Sequence, residues 1–438
     1  MKTSTVFESK DDWTFLNVST QDYTHGFHLY PARMHPEIAK RIIAKYAQDT
    51  KKVVFDPFMG SGGVLVEGII HGNNSIGIDV NPFAVLLSKV KTTPLNSEKL
   101  NKIYEEIIGK SKSDYTIEKY HEKTKPTSSS LNLEFWYKPN VIKKLQILKY
   151  YIFNIEDKKV RDFFKICFSL TSRKASYQRN SIYKIYRINK EDMQRFNLDV
   201  FQIFENVCKK NIKKMVDFTK AMKSSKAKAF PILGDTRKIE EAFQKVDSDI
   251  LDDGKVHLVV TSPPYGDHKT TVAYGQFSKH PGIWLELPQK QLFEVDTVGI
   301  GGTRKIKFEE LTSALLAKII KQVKRNDQEI SKHKNLYRAD DVYAYFHDLD
   351  KCLGQTSKIL KQGDSHLCFV VANRTVRRVT IPTDEILVEL GKKYGFKHEK
   401  TIYRTIANKA MSLKNAPENI TNQAGKTMTR ESVVILKY

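Results

Sequence analysis

Apolar residues along the chain form short β-branched runs that alternate with longer helical stretches, and this pattern predicts an α/β fold. Residues 53–55 and 75–78 are such runs, typical of buried strands. Residues 64–70 between them are predicted to be helical, and a glycine-rich turn joins this helix to the first run. A strand, a helix and a second strand in this order make a βαβ unit, with which a doubly wound, mostly parallel sheet begins.

Later runs predict further strands of the same sheet. A strand and a helix are expected at 229–243 and a short strand at 257–260, and the segments "SHLCFVVAN", "YGFKHEKTIYRT" and "ESVVILKY" predict the closing strands. Strand patterns thus lie on both sides of two segments of different character, which we interpret as insertions. The predicted organisation is a core at 1–95, a mostly helical insertion at 96–228, core at 229–265, a second insertion at 266–338 and C-terminal core strands at 339–438.

Charge indicates a polyanionic partner. The 438 residues include 73 Lys and Arg against 50 Asp and Glu, a formal net charge of +23, and such an excess favours nucleic acid. No signal peptide or apolar run of membrane-spanning length is found, so we expect a cytoplasmic protein. The cysteines form no CxxC pair, which argues against a disulfide framework or a zinc site. They are Cys167, Cys208, Cys352 and Cys368.

The turn after the first strand, "DPFMGSG", has the features of a ligand-binding loop. Gly60 and Gly62 let the backbone approach a ligand closely, and the helix that follows offers free N–H groups at its N-terminus. Asp79, at the tip of the second strand, is placed to bind ribose hydroxyls. The spacing is neither that of the dinucleotide fingerprint nor that of a P-loop.

A second candidate site follows the strand at 257–260, in the stretch "TSPPYGD". Pro263 and Pro264 fix the backbone and remove two N–H donors where the strand ends. Ligands of open α/β sheets bind at this end of the strands. The stretch therefore presents the hydroxyl of Ser262, the carbonyl of Pro263 and the ring of Tyr265 to a ligand.

These motifs together resemble those of amino-group DNA methyltransferases, which use S-adenosylmethionine to methylate the exocyclic nitrogen of cytosine or adenine. The similar stretches are "FDPFMGSGGVLVEG", "GIDVNPFAV", "TSPPYGD" and, upstream, "THGFHLYPARMHPEIAKRII". The resemblance implies a Rossmann-like methyltransferase core with a large helical insertion. The cofactor-binding residues that it implies are Tyr30, Pro31, Asp56, Phe58, Gly60, Gly62, Asp79 and Asp235. Asp235 alternatively caps the helix that follows it.

The resemblance also assigns catalytic roles. It implies that the Ser262 hydroxyl and the Pro263 carbonyl accept hydrogen bonds from the two N–H groups of the exocyclic amine. Pro264 would complete the rigid turn, and Tyr265 would stack on a base that has left the duplex. Serine before the double proline favours cytosine N4 as the target. Cytosine C5 chemistry would require a nucleophilic cysteine, typically after proline, and none of the four cysteines follows a proline.

Two basic segments are candidates for contact with duplex DNA, which is the expected substrate. They contain Arg173, Lys174, Arg179, Lys209, Lys210, Lys213 and Lys214. A solvated helix face is the alternative interpretation of such runs. We interpret His25, His28 and His35 as packing or phosphate-contact residues, because methyl transfer from a sulfonium needs no metal.

The expected setting is prokaryotic restriction-modification in the cytoplasm near the nucleoid, with a cognate endonuclease as a candidate partner and a monomer or weak dimer as the assembly. Three alternatives stay open at the level of sequence. They are an N6-adenine DNA methyltransferase, an RNA methyltransferase that modifies guanine N2 or adenine N6, and a catalytically silent DNA-binding subunit. RNA enzymes of this type usually carry Asp or Asn before the prolines and a separate RNA-binding module, and neither is seen here.

Overall fold

A computed structural model of the protein describes most of the chain. The described residues are 12–118, 132–179, 183–223, 225–251, 254–266, 271–304, 313–330, 338–406, 414–415, 425–426 and 430–438.

The strands that fall within these ranges are β1 Val54–Asp56, β2 Ser75–Asp79, β3 Ala229–Leu233, β4 Leu258–Thr261, β5 His366–Val371, β6 Arg374–Val376, β7 Val379–Ile381, β8 Lys397–Thr405, β9 Lys414–Asn415, β10 Gly425–Lys426 and β11 Arg430–Lys437. The helices are α1 Pro36–Tyr46, α2 Gly63–His71, α3 Pro82–Lys91, α4 Ser97–Thr116, α5 Leu133–Trp136, α6 Pro139–Phe153, α7 Lys158–Lys174, α8 Lys190–Arg195, α9 Val200–Ala221, α10 Ile239–Phe243, α11 Tyr274–Trp284, α12 Gln289–Val298, α13 Ala314–Ile330, α14 Arg338–Ile359 and α15 Thr383–Lys392.

Seven of the strands form one sheet in the order β3-β2-β1-β4-β5-β11-β8. The first five are parallel, whereas β11 is antiparallel to both β5 and β8 and lies between them. After β1, the chain forms β2 and β3 on one side of β1 and then forms β4 on its other side. The strand order therefore reverses between β1 and β4, where open α/β sheets bind their ligands. The predicted doubly wound, mostly parallel Rossmann-like sheet is confirmed.

Both faces of this sheet are covered, which explains why its strands are continuously apolar. In β1, Val54 packs with α1 and α2 on one face, and Phe55 packs on the other face in the core that includes α14 and α15. Leu258 and Val259 of β4 divide between the same two cores. A third apolar core joins α3 to helices α4, α6, α7 and α9, so the helical insertion is attached through the helix that follows β2.

The sequence patterns missed the hairpin of β6 and β7, which leaves the carboxyl end of β5. Arg377 and Arg378 form its turn with φ values of +46° and +62°. Two left-handed residues fit a tight hairpin turn, but Asn and Gly usually occupy those positions. The pair of arginines therefore gave no sequence signal for the turn.

Candidate active site

The glycine loop and the Ser-Pro-Pro-Tyr turn meet where the strand order reverses. Val54 pairs with Leu258 and Phe55 with Val259, which brings Asp56 and Thr261 together at the carboxyl ends of β1 and β4. Thr261 Oγ1 donates a hydrogen bond of 2.6 Å to Asp56 Oδ1, and both side chains are buried. Residues separated by 205 positions are thus joined directly across the crevice.

The glycine loop turns sharply and is anchored from behind by α3. Gly60 and Gly62 have φ values of +49° and +73°, in the left-handed region that favours glycine. A Cβ atom at Gly62 would lie 2.7 Å from Ser88 Oγ. Ser88 Oγ donates to the Gly60 carbonyl at 2.9 Å, and the buried Lys91 Nζ donates to the Ser61 carbonyl at 2.7 Å. The loop is therefore held in one shape before any ligand arrives.

Two carboxylates flank this loop. Asp79 Oδ2 accepts from the Gly60 N–H at 2.9 Å and Asp79 Oδ1 from the Asn81 N–H at 2.8 Å. Burial raises the pKa of Asp79 to about 6 and that of Asp56 to about 7. Each carboxylate oxygen of Asp79 has two lone-pair sites, so acceptor capacity for a ligand hydroxyl is left.

The upstream segment lies against the loop. The Tyr30 ring is so close to Gly60 that a Cβ atom there would lie 3.3 Å from Tyr30 Cε1. Asn81 Nδ2 donates to the Tyr30 hydroxyl at 3.2 Å, and Pro31 is buried beside it. Phe58, in the loop itself, is half-buried and packs against the core that includes α14. The structure therefore brings Tyr30, Pro31 and the loop together.

Asp235 caps the 3-10 helix Thr236–Lys238, since its Oδ1 accepts from the Arg237 N–H at 2.9 Å. The Arg237 side chain also forms an ion pair with Asp235 at 2.7 Å and another with the buried Asp348 at 2.9 Å. The Thr236 hydroxyl donates to the Pro57 carbonyl, which places this turn beside the glycine loop. The capping alternative is therefore observed, whereas contact with adenine stays a prediction.

The Ser-Pro-Pro-Tyr turn follows β4, and most of its residues are partly exposed. Ser262, Pro264 and Tyr265 are half-buried, and Pro263 is buried. The Tyr265 hydroxyl donates to Glu431 Oε1 of β11 at 3.0 Å. Burial, followed by the negative charge of Glu431, raises the pKa of Tyr265 well above its usual value, so the hydroxyl stays protonated. Sequence reasoning missed Glu431, because no local pattern links residues 166 positions apart.

Helix α11, in the segment predicted as the second insertion, also reaches the site. Ser278 of α11 is fully buried, and its Oγ accepts from Asn81 Nδ2 at 2.7 Å. The ring of Tyr274, at the start of α11, lies 5.9 Å from that of Tyr30 between centroids. Neither residue was singled out from the sequence. Their contacts show that α11 packs over the segment before the glycine loop.

One predicted DNA contact requires correction. Arg173 is only 3% exposed, although it lies in a basic run. Its Nη1 donates to Gln178 Oε1 at 3.0 Å, and its guanidinium lies 4.9 Å from the centroid of the Phe277 ring. An arginine in this position stabilises the contact between α7 and α11 and does not reach a phosphate outside. The neighbouring Lys174 and Arg179 are exposed.

The lysines of α9 have different surroundings. Lys209 pairs with Glu205 at 2.7 Å, one helical turn away, and Lys214 is half-buried with its Nζ donating to the Gln21 carbonyl. Lys210 and Lys213 are exposed. Together with Lys214 and Lys220 they line an open cleft that also contains Asp22 and Asp217. We call this surface the α9 cleft.

The three histidines have packing and capping roles. His25 Nε2 lies 2.7 Å from Glu67 Oε1 inside the protein. His28 is buried between the Leu29 carbonyl and Ser169, and burial lowers its pKa to about 4. His35 caps α1 by accepting from the Glu37 N–H. Over the described ranges, no three His, Cys, Asp or Glu side chains are grouped as a metal site would require, and no helix is both long and apolar enough to cross a membrane.

Comparison with known proteins is consistent with this geometry. The chain is 36% identical over 439 residues to the type II methyltransferase M.MvaI of Kocuria varians, covering 97% of this chain and 93% of that one. The type II methyltransferase M.MjaII of Methanocaldococcus jannaschii is 33% identical over 115 residues, which is 23% of this chain and 22% of its own. A solved structure, the rRNA methyltransferase AviRa from Streptomyces viridochromogenes, has a TM-score of 0.30 at 10% identity over 94% of this chain and 88% of that one, too low to carry an argument.

The sheet order defines a Rossmann-like α/β fold, and the similarity to M.MvaI makes the protein a methyltransferase of that fold class. A sequence model of the DNA methylase family that covers N6 and N4 enzymes matches residues 3–90. With the similarity to M.MvaI over nearly its whole length, the chain belongs to the amino-group DNA methyltransferases.

Proposed function

We propose that the protein transfers a methyl group from S-adenosylmethionine to the exocyclic N4 of cytosine in duplex DNA, within a restriction-modification system. The observation that carries this proposal is the hydrogen bond of 2.6 Å between Thr261 and Asp56. It fixes the Ser-Pro-Pro-Tyr turn beside the glycine loop, so a methyl donor held by the loop and an amine held by the turn would share one crevice.

The residues around the loop fit S-adenosylmethionine, which supplies an electrophilic methyl group on a sulfonium when it is bound. Gly60 and Gly62 carry no side chains, so the loop backbone can approach a ligand closely there, and Asp79 offers a carboxylate for the ribose hydroxyls. Tyr30 and Pro31 would pack near the methionine part. The remaining proposed contacts are Asp56, Phe58 and, for the adenine amine, Asp235.

The turn after β4 would activate the target amine. The lone pair of an exocyclic amine is delocalised into the base, so the nitrogen is a poor nucleophile. The Ser262 hydroxyl and the Pro263 carbonyl would accept hydrogen bonds from its two N–H groups and draw the nitrogen toward a pyramidal form. These hydrogen bonds would strengthen in the transition state. The nitrogen would take the methyl group as the S–C bond of the donor breaks, and it would then lose one proton to solvent. Tyr265 would stack on the flipped base.

The cysteines support attack by nitrogen over ring chemistry at C5. All four are buried, and none follows a proline. Burial raises the pKa of Cys208, Cys352 and Cys368. A nucleophilic cysteine needs the opposite conditions, namely access to the substrate and a lowered pKa.

Phosphate contact is proposed for the exposed basic side chains near the α9 cleft. Lys174 lies at the end of α7. Partial burial lowers the pKa of Lys174, and the positive charge of the nearby Lys210 lowers it further. Lys213 and Lys220 continue the same surface. Repulsion among these cations would be relieved by a polyanion, in agreement with the net charge of +23.

Nucleoside mass spectrometry of DNA treated with the protein and labelled S-adenosylmethionine tests the proposal. We expect N4-methylcytosine, and we expect Ser262→Ala to lose most turnover while binding the cofactor as well as the wild type does. N6-methyladenine as the product would preserve the mechanism and overturn the base assignment. Formation of 5-methylcytosine, or methylation of RNA alone, would overturn the proposal.

A further inference from the structure

We infer that Glu431 and Arg404, on the C-terminal strands, are positioning residues that fix the side chain of Tyr265, the residue proposed above to stack on the flipped base. The expected effect on methyl transfer rests on the proposed function, because these residues belong to the same site. The inference assigns a role in the reaction to β8 and β11, which otherwise only complete the sheet. In the sequence the two residues lie in segments that predict only closing strands of the sheet.

The contact between the turn and β11 is direct. Tyr265 lies four residues beyond the end of β4, and its hydroxyl donates to Glu431 Oε1 at 3.0 Å. In the sheet, β5 separates β4 from β11. The turn therefore passes over the end of β5 and is tied to the strand beyond it.

Arg404 holds the other side of the same carboxylate. Glu431 and Arg404 are directly opposite each other in the antiparallel pair of β11 and β8. Arg404 Nη1 forms an ion pair with Glu431 Oε2, and the side chains are only 5% and 14% exposed, respectively. One carboxylate oxygen thus binds the arginine and the other binds the tyrosine.

The arginine is itself fixed by the N-terminal segment. Arg404 Nε donates to the Trp13 carbonyl at 2.8 Å, and its guanidinium lies 5.5 Å from the centroid of the Phe15 ring. Phe15 is buried and stacks on His35 at the start of α1. Neither member of the ion pair can swing away without breaking these contacts.

This arrangement determines the direction in which the Tyr265 side chain points. Pro263 and Pro264 fix the backbone before Tyr265, so the remaining freedom is that of its side-chain torsions. A hydrogen bond from the para hydroxyl to a carboxylate that cannot move restricts the first side-chain torsion, because the hydroxyl oxygen lies on the Cβ–Cγ axis and marks its direction. A stacking partner that is fixed in advance loses less entropy when it captures a base.

A double-mutant cycle tests the inference. Tyr265→Phe removes the hydroxyl and keeps the ring, whereas Glu431→Ala removes the acceptor. We expect each variant to lower kcat on a duplex substrate by on the order of tenfold, with cofactor affinity within about twofold of the wild type. If Glu431 acts through the hydroxyl, the double variant should lose no more than either single variant.

Three further variants separate positioning from a general structural role. Glu431→Gln keeps an acceptor for the hydroxyl and should recover most of the activity lost in Glu431→Ala. Glu399→Ala is the matched control, because it removes a hydrogen bond of the same kind, from Tyr46 at 2.8 Å, on β8. Glu399→Ala should leave kcat unchanged. Arg404→Lys should lower kcat as Glu431→Ala does. Multiplicative losses in the double variant, or unchanged kcat in Glu431→Ala, would overturn the inference.

An independent readout is the motion of the ring itself. With 3-fluorotyrosine at position 265, fluorine NMR should show slower exchange between rotamers of the first side-chain torsion in the wild type than in the Glu431→Gln and Glu431→Ala variants, in that order of increasing rate. Equal rates in the three proteins would overturn the inference even if the enzyme methylates DNA. If the wild type methylates no DNA but the rates differ as expected, the proposed function fails and the positioning stands.

Discussion

At the residue scale, Asp79 shows how one side chain serves both the shape of a site and its chemistry. Its two oxygens hold the backbone of Gly60 and of Asn81, so the carboxylate shapes the glycine loop. The same carboxylate is the group that we propose for the ribose hydroxyls. A substitution at this position therefore alters the loop and the ligand contact together.

We predict that Asp79→Asn weakens the binding of S-adenosylmethionine by about 1.5 to 3 kcal/mol, the usual size of a charge-assisted hydrogen bond. Asp79→Ala should weaken it at least as much, since it also releases the Gly60 N–H. Calorimetric titration measures the affinity. Asp49→Asn is a matched control, because exposed Asp49 likewise accepts a backbone N–H, from Lys51 at 2.9 Å. Unchanged affinity in both Asp79 variants would remove this residue from the site.

At the scale of secondary structure elements, the sequence predicted what local patterns determine. The strands β1, β2, β4 and β5 could be predicted because they are buried on both faces and therefore apolar throughout. The prediction that Arg173 contacts DNA was wrong. Its basic neighbours in the sequence suggested an exposed position, whereas its guanidinium lies against the ring of Phe277. Glu431 could not be predicted from any local pattern, since its partners Tyr265 and Arg404 come from other parts of the chain.

The α9 cleft yields a prediction at this scale. Replacing Lys210, Lys213 and Lys220 with alanine should flatten the slope of log K against log salt for DNA binding, because fewer counterions are released on association. Titration of a fluorescent duplex at several salt concentrations measures the slope. Lys158→Ala with Lys159→Ala is the control, since both lysines are exposed at the start of α7, the end opposite Lys174. An equal slope in the triple variant would show that the cleft is only a solvated face.

At the scale of the whole molecule, the buried carboxylates link the site to global stability. Burial raises the pKa of Asp56 from its ordinary value of 3.8 to about 7. Between these values the folded protein binds a proton that the unfolded chain has lost. The free energy of unfolding should therefore decrease as pH rises from about 4 to about 7.

Asp56→Asn should remove much of this dependence. The amide stays neutral, and its oxygen can still accept from Thr261 and from the Phe58 N–H. We expect the variant to be more stable than the wild type at pH 8, by roughly 1 to 4 kcal/mol because one pKa unit corresponds to about 1.4 kcal/mol. The two proteins should be similar near pH 4. Urea unfolding at both pH values measures the difference, and a constant difference across pH would contradict the assignment.

The position of β11 between β5 and β8 has a consequence for synthesis on the ribosome. The edge of β5 that β11 covers has no partner in this sheet until residues 372–429 have been translated. At ordinary translation rates of about 5 to 20 residues per second, that interval lasts roughly 3 to 12 seconds. An unpaired strand edge is a template for pairing with other chains. Overproduction from many ribosomes at once should therefore favour aggregation of nascent chains, which slower synthesis or a chaperone that binds exposed strands should reduce.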